Sequence, residues 1–249
     1  ARFSTGGSTH ANQAIIFAIG KPGDKVAVSR TAHRSVLSAL VLAGLEPIWM
    51  TPEIDSATGV PIGIGISELT RALSENPIAV LLTEPGYLGT ISDLPAVIEA
   101  AHKVDVPVIL DAAWGGHFGF HPQLPSHAFQ AGADALITST HKALPGYSAS
   151  ALLLARTTLL SAERLEQSFE TTHTTSPAGA PLASIDGVRA LLETRGEELI
   201  GNLLSNIHRF KEMVQAEFAL PIFLYPTDFP EGRFDPSKIV LRVQQLGAS

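Results

Sequence analysis

The chain has 249 residues, 45% hydrophobic and 16% charged, enough for one sizeable core. Its 17 lysines and arginines stand against 24 aspartates and glutamates, a net charge of -7 that argues against a nucleic-acid surface. The absence of cysteine excludes a disulfide framework or a thiolate metal site, and no apolar run reaches the roughly 18 residues of a membrane helix.

No signal peptide is visible, so a cytoplasmic protein with neither nucleic-acid nor membrane partners is expected. The chain opens at Ala1 without a methionine, almost directly on a glycine turn, which is the pattern of a fragment. In that turn, Gly6-Gly7-Ser8-Thr9, Ser8 or Thr9 is expected to cap the apolar run Ala14-Ile15-Ile16-Phe17-Ala18-Ile19. A helix start flanked by hydroxyls is an anion site; without a Lys-Ser/Thr after the glycines it is not a triphosphate loop. Lys25-Val26-Ala27-Val28 reads as a strand, and His33 falls in the connection to a helical pattern beginning at Val36. Glu46-Pro47-Ile48-Trp49-Met50 is the next strand, 51–65 a Pro/Gly-rich loop, and 66–73 a helix.

Two apolar runs of buried-strand type follow, Ile78-Ala79-Val80-Leu81-Leu82-Thr83 and Val106-Pro107-Val108-Ile109-Leu110, with a helix over 94–103 between them. The first ends in Glu84-Pro85-Gly86-Tyr87; the second delivers Asp111. A short helix is expected over 126–131. Ala135-Leu136-Ile137 then leads into Ser139-Thr140-His141-Lys142 and a Pro145-Gly146 turn. A strand over 150–155, a hydroxyl-rich loop over 171–177 and a helix over 181–193 come next. A long amphipathic helix over 197–218 carries Leu199, Leu203, Ile207, Phe210 and Val214 on its apolar face. Strands over 222–225 and 238–243 would open a second, small domain.

Alternating strands and helices across residues 1–142 predict an α/β domain with a mostly parallel sheet, whose ligands sit beyond the carboxyl ends of the strands. Asp111 and Lys142 lie at that edge, as do the loops with His33 and Tyr87. A lysine amine can hold a carbonyl compound as a Schiff base. A carboxylate can keep a pyridine nitrogen protonated, a flat side chain can cover a ring, and a hydroxyl-lined helix start can bind a phosphate. Pyridoxal 5'-phosphate needs these parts together.

An ordered set of motifs carries a family resemblance. It comprises Gly7-Ser8-Thr9-x-Ala11-Asn12, Pro22-Gly23-Asp24-Lys25-Val26, Arg30-x-x-His33-Arg34-Ser35, Pro85-x-Tyr87-x-Gly89, Asp111-x-Ala113-x-Gly115-x-His117-Phe118, Ser139-Thr140-His141-Lys142 and Thr175-Ser176-Pro177. Through them, together with Gly132-Ala133-Asp134, the chain resembles the large domain of the bacterial Orn/Lys/Arg decarboxylases, pyridoxal-phosphate enzymes of the aspartate-aminotransferase fold (fold type I). The resemblance implies a large domain over 1–195, and a connecting helix with part of a small domain over 196–249. It implies Lys142 as the Schiff-base lysine, Asp111 opposite the pyridinium nitrogen, and His33 and Ala113 on the two ring faces. Gly7, Ser8, Thr9, Ser139 and His141 would hold the phosphate. Thr175 or Ser176 would reach the phosphate of the partner in a homodimer. The implied reaction is decarboxylation of an amino acid, a basic one being favoured; transamination, β-elimination or a catalytically silent homologue are the alternatives. Ala112 and Trp114 stand where the family usually has an acidic residue and a histidine, and the candidate partners for the distal cation of a basic substrate are Glu84 and a residue outside this chain.

Overall fold

The computed structural model describes residues 1–218 and 222–242. Its centre is a seven-stranded sheet ordered β1-β9-β8-β7-β6-β2-β3. The strands are β1 (Arg2–Ser4), β2 (Lys25–Ser29), β3 (Glu46–Met50), β6 (Val80–Thr83), β7 (Val108–Asp111), β8 (Ala135–Ser139) and β9 (Ala151–Ala155), with a separate ribbon of β4 (Glu53–Ile54) and β5 (Pro61–Gly63). Strands β3, β2, β6, β7 and β8 are parallel in that spatial order, while β9 and β1 close one edge antiparallel.

The strands alternate between two cores because successive side chains point to opposite faces. Val26, Val28, Leu81, Ile109 and Ile137 pack towards α1 (Gly7–Ile19), α2 (Arg34–Ala43) and α5 (Ala162–Thr172). Ala27, Val80, Leu82, Leu110 and Leu136 pack towards α3 (Ile66–Leu73) and α4 (Leu94–His102). Both faces are covered, which is why these strands read as unbroken apolar runs.

Several expectations are corrected. The helix start at the glycine turn is Gly7, so Ser8 and Thr9 sit inside the first turn and no side chain caps it. Residues 126–131 form turns rather than a helix, and the loop over 51–65 contains the β4-β5 ribbon. The helices expected over 181–193 and 197–218 are one element, α6 (Gly179–Gln215), 37 residues long. Residue 195, where the large domain was expected to end, lies inside it. Its buried stripe is Ile185, Val188, Leu192, Gly196, Ile200, Leu204, Ile207 and Lys211. Of the expected face, Ile207 belongs to this stripe, while Leu203 and Phe210 are exposed.

The strands expected over 222–225 and 238–243 reduce to one antiparallel bridge, Phe223 with Leu241, flanked by Leu224 N–H to Val240 C=O at 3.0 Å and Arg242 N–H to Ile222 C=O at 2.7 Å. Val243 lies outside the described residues. This segment folds back onto the loop after β6. Phe234 bridges Thr90, Ile91 N–H donates to Arg233 C=O at 3.0 Å, and Asp235 N–H donates to Gly89 C=O at 2.8 Å.

Candidate active site

Beyond the carboxyl ends of β6, β7 and β8 lies a cleft of about 520 Å³, within the range of small-molecule sites. Lys142, Asp111, His33, Gly7, Ser8, Thr9, Ala113, Ser139 and His141 all line it. Thr175 does not: it is exposed, in the loop between α5 and α6.

Asp111 ends β7 and is buried. Burial raises its pKa above the usual carboxylate range, against hydrogen bonds from Asn12 and the Ala113 N–H and the charges of Lys142 and His33. The Asn12 amide donates 2.9 Å to Asp111 Oδ2, and the Ala113 N–H donates 3.2 Å to Oδ1. Asn12 also donates to Ser35 Oγ at 3.1 Å, and Ser35 Oγ lies 2.8 Å from His33 Nδ1. The Ser35 N–H donates to that same Nδ1 at 3.2 Å, so Nδ1 is an acceptor and the ring proton sits on Nε2. One chain of hydrogen bonds therefore sets the orientation of both Asp111 and His33. Sequence reading placed Asn12 and Ser35 in motifs without giving them work. The available signal was spacing: Asn12 is one helical turn beyond Ser8 and shares its side of α1.

The anion cradle joins the two ends of the chain's large-domain sequence. Ser8 Oγ lies 2.8 Å from Ser139 Oγ. Gly7 has φ +68, a region that favours glycine, and donates its N–H to Ala149 C=O at 2.6 Å. His141 Nδ1 donates to Ser150 C=O at 2.8 Å, and Gly146 N–H closes the lysine loop onto Thr140 C=O at 2.6 Å. A Cβ at Gly146 would stand only 2.3 Å from that Thr140 oxygen, so glycine is required at this close approach.

Lys142 ends next to Trp114, its Nζ 4.9 Å from the ring centroid. Tyr87 meets the same indole edge to face at 6.1 Å. Glu84, the expected partner of a basic side chain, is not in this cleft. Thr83 pairs in register with Asp111, and both line the cleft; Glu84, one residue on, points to the other face. There it is buried in a separate cavity of about 280 Å³, accepts from the Ser92 N–H at 3.1 Å and from the Ser92 hydroxyl, and is pushed up to about 7 by burial.

The donor set fits pyridoxal phosphate. A helix start with Ser8 and Thr9, joined by Ser139 and His141, is suited to a phosphate dianion. Asp111, raised by burial in the protein alone, is suited to a cationic ring N–H that would favour its charge.

Residues 1–227 match the family described as "Orn/Lys/Arg decarboxylase, major domain". The arginine decarboxylase of Bacillus subtilis is 35% identical over 252 residues, covering 98% of this chain and 51% of its own length. That of Halalkalibacterium halodurans is 35% identical over 256 residues, with the same two coverages. The chain thus spans about half the length of these curated relatives. The constitutive lysine decarboxylase of E. coli superposes with a TM-score of 0.78 at 21% identity, over 95% of this chain and 39% of that one. That likeness shows the fold, the α/β architecture of fold type I.

Proposed function

The chain belongs to the Orn/Lys/Arg decarboxylase family, and on that premise we propose that the protein decarboxylates a basic amino acid with pyridoxal phosphate bound in the Lys142 cleft. The observation that carries the reading is the meeting of Lys142, buried Asp111 and the Ser8–Ser139 cradle in one cleft. When bound, the cofactor supplies an electron sink for the pair of electrons left when carbon dioxide departs.

The chain's own residues do the rest. Lys142 would hold the cofactor's aldehyde through its amine, a group that can also take or give a proton. Asp111, held by Asn12 and the Ala113 N–H, presents a fixed carboxylate to the ring nitrogen. His33, its Nε2–H directed by the two bonds at Nδ1, would cover one ring face and Ala113 the other. Gly7, Ser8, Thr9, Ser139 and His141 hold the phosphate. Trp114 and Tyr87 line the cleft and meet edge to face, giving it an aromatic wall. The exposed Thr175 and Ser176 lie free to reach a second subunit, which supports a homodimer. Among the described residues lining the cleft, Asp111 is the one carboxylate, and it is engaged by Asn12.

The test is made on the full-length protein incubated with pyridoxal phosphate and then with arginine, lysine and ornithine in turn. A visible absorbance band, borohydride labelling of Lys142, and release of carbon dioxide with the matching amine are expected. A keto acid product, or the label on another lysine, would overturn the assignment.

A further inference from the structure

Lys238 lies 96 residues beyond Lys142 in the sequence, yet both ammonium groups stand against the same indole. Lys238 Nζ is 4.0 Å from the Trp114 ring centroid and Lys142 Nζ is 4.9 Å from it. The placement of Lys238 is built, not incidental. Asp235 N–H ties the segment to Gly89 C=O at 2.8 Å, and Lys238 N–H closes a turn onto Asp235 C=O at 3.1 Å. The Lys238 stem packs so closely on Gly89, which has φ +96, that a Cβ there would stand 2.7 Å from Lys238 Cγ.

Asp235, whose charge favours the Lys238 ammonium, makes its hydrogen bonds to other partners through Oδ1. Asp235 Oδ1 accepts from the Ser237 N–H at 2.9 Å and the Ser237 hydroxyl at 2.6 Å, and buried His117 Nε2 lies 3.2 Å from both Asp235 oxygens. Burial pushes Asp235 up, but these hydrogen bonds and the His117 charge override it and hold it below the usual carboxylate range. Among the described residues Lys238 therefore has no ion pair, although burial and the nearby Lys142 charge both disfavour its own charge and only Asp235 favours it. A ring face attracts a cation but accepts none of the three ammonium N–H groups as a carboxylate would. Burial and the Lys142 charge both work against the Lys238 ammonium, and an anion beside it would offset them.

We propose that Lys238 is the residue that receives the carboxylate of the amino-acid substrate, seating it against Trp114 at the rim of the Lys142 cleft. This rests on the reading of that cleft as an amino-acid site. An amino acid and its decarboxylated amine differ by the carboxylate alone, so comparing the two isolates the contact.

The experiment uses the full-length protein in an Asp111→Asn background, where turnover is expected to fall roughly a hundredfold to a thousandfold, with binding measured by calorimetric titration. Arginine is paired with agmatine, lysine with cadaverine and ornithine with putrescine, before and after adding Lys238→Met. The acid should bind roughly tenfold to a hundredfold more weakly in the variant, and the amine within about twofold, as expected for loss of one charge-assisted contact. Lys238→Arg should restore part of the acid's affinity. An equal change for acid and amine, or none for either, would overturn the proposal by making Lys238 only a prop for Trp114. Weakened uptake of pyridoxal phosphate with the acid-to-amine ratio unchanged would overturn it too, by assigning the lysine to the cofactor phosphate. The absorbance band is read separately. A protein that takes up no pyridoxal phosphate removes the proposed function, while the calorimetric ratio still decides the carboxylate contact.

Discussion

Asp111 shows how one residue's role depends on what surrounds it. A carboxyl at a strand end is ordinary; one buried and met by an amide and a backbone N–H is arranged to keep a fixed charge towards one partner. Asparagine has the same shape without that charge. Asp111→Asn should leave the cofactor bound, because Lys142 and the phosphate cradle are untouched, while turnover falls roughly a hundredfold to a thousandfold. Absorbance for the bound cofactor and amine release for turnover check the two halves of this expectation; normal turnover would remove Asp111 from the ring nitrogen. At this scale the sequence was most informative where a residue type is rare for its chemistry. Lys142, Asp111 and His33 could be picked out by what they can do. Asn12 and Ser35 could not, since their work is to orient other side chains and depends on contacts 23 and 99 residues apart. Glu84 was misread because its chemistry suited the task, whereas the alternation of β6 turns it away.

Among the elements, legibility followed burial on two faces. Strands β6, β7 and β8 stood out because nothing polar interrupts them until the residue that enters the cleft. The helix α6, expected as two helices, passes through Gly196 without a break. Its buried stripe runs through that position at steps of three and four from Ile185 to Lys211. Lys211 belongs to that stripe. It is buried, donating Nζ to Leu224 C=O at 3.0 Å above the Tyr225 ring at 5.0 Å. Gly196 itself is helical, and a Cβ there would meet Leu192 and Phe120 carbons at 3.6 Å, ordinary contact distance. Gly196→Ala should therefore stabilise the fold by about 0.5–1 kcal/mol, by limiting the freedom of the unfolded chain. Urea denaturation of the cofactor-free protein checks the sign: a lower midpoint would mean that the helix needs glycine there for close packing.

At the scale of the molecule, two buried groups outside the cleft give opposite pH slopes. Glu84 is pushed up to about 7 by burial, so the folded state holds its proton where the unfolded chain has released it. Its stabilising contribution is complete below the ordinary carboxyl pKa of 4.5 and disappears as pH rises towards 7, a change of roughly 3 kcal/mol. His10 lies between Phe169 and His173, with Ser4 Oγ at 2.8 Å and Thr172 Oγ1 at 3.0 Å; burial and the His173 charge lower it to about 4. Its contribution is complete above the ordinary histidine value of 6.5 and disappears as pH falls towards 4. Between pH 4.5 and 6.5 the two slopes oppose each other, and the wild-type stability curve is flattened there. Glu84→Gln keeps an acceptor for Ser92 without the titration, so its stability relative to wild type should increase as pH rises from 5 to 8. His10→Gln should show the reverse, its stability relative to wild type increasing as pH falls from 7 to 5. Parallel curves for a variant and the wild type would mean that the replaced group titrates alike in the folded and unfolded chain. Because the two groups sit on opposite faces of the sheet, Glu84 beside α4 and His10 against α5, their effects should add in the double variant.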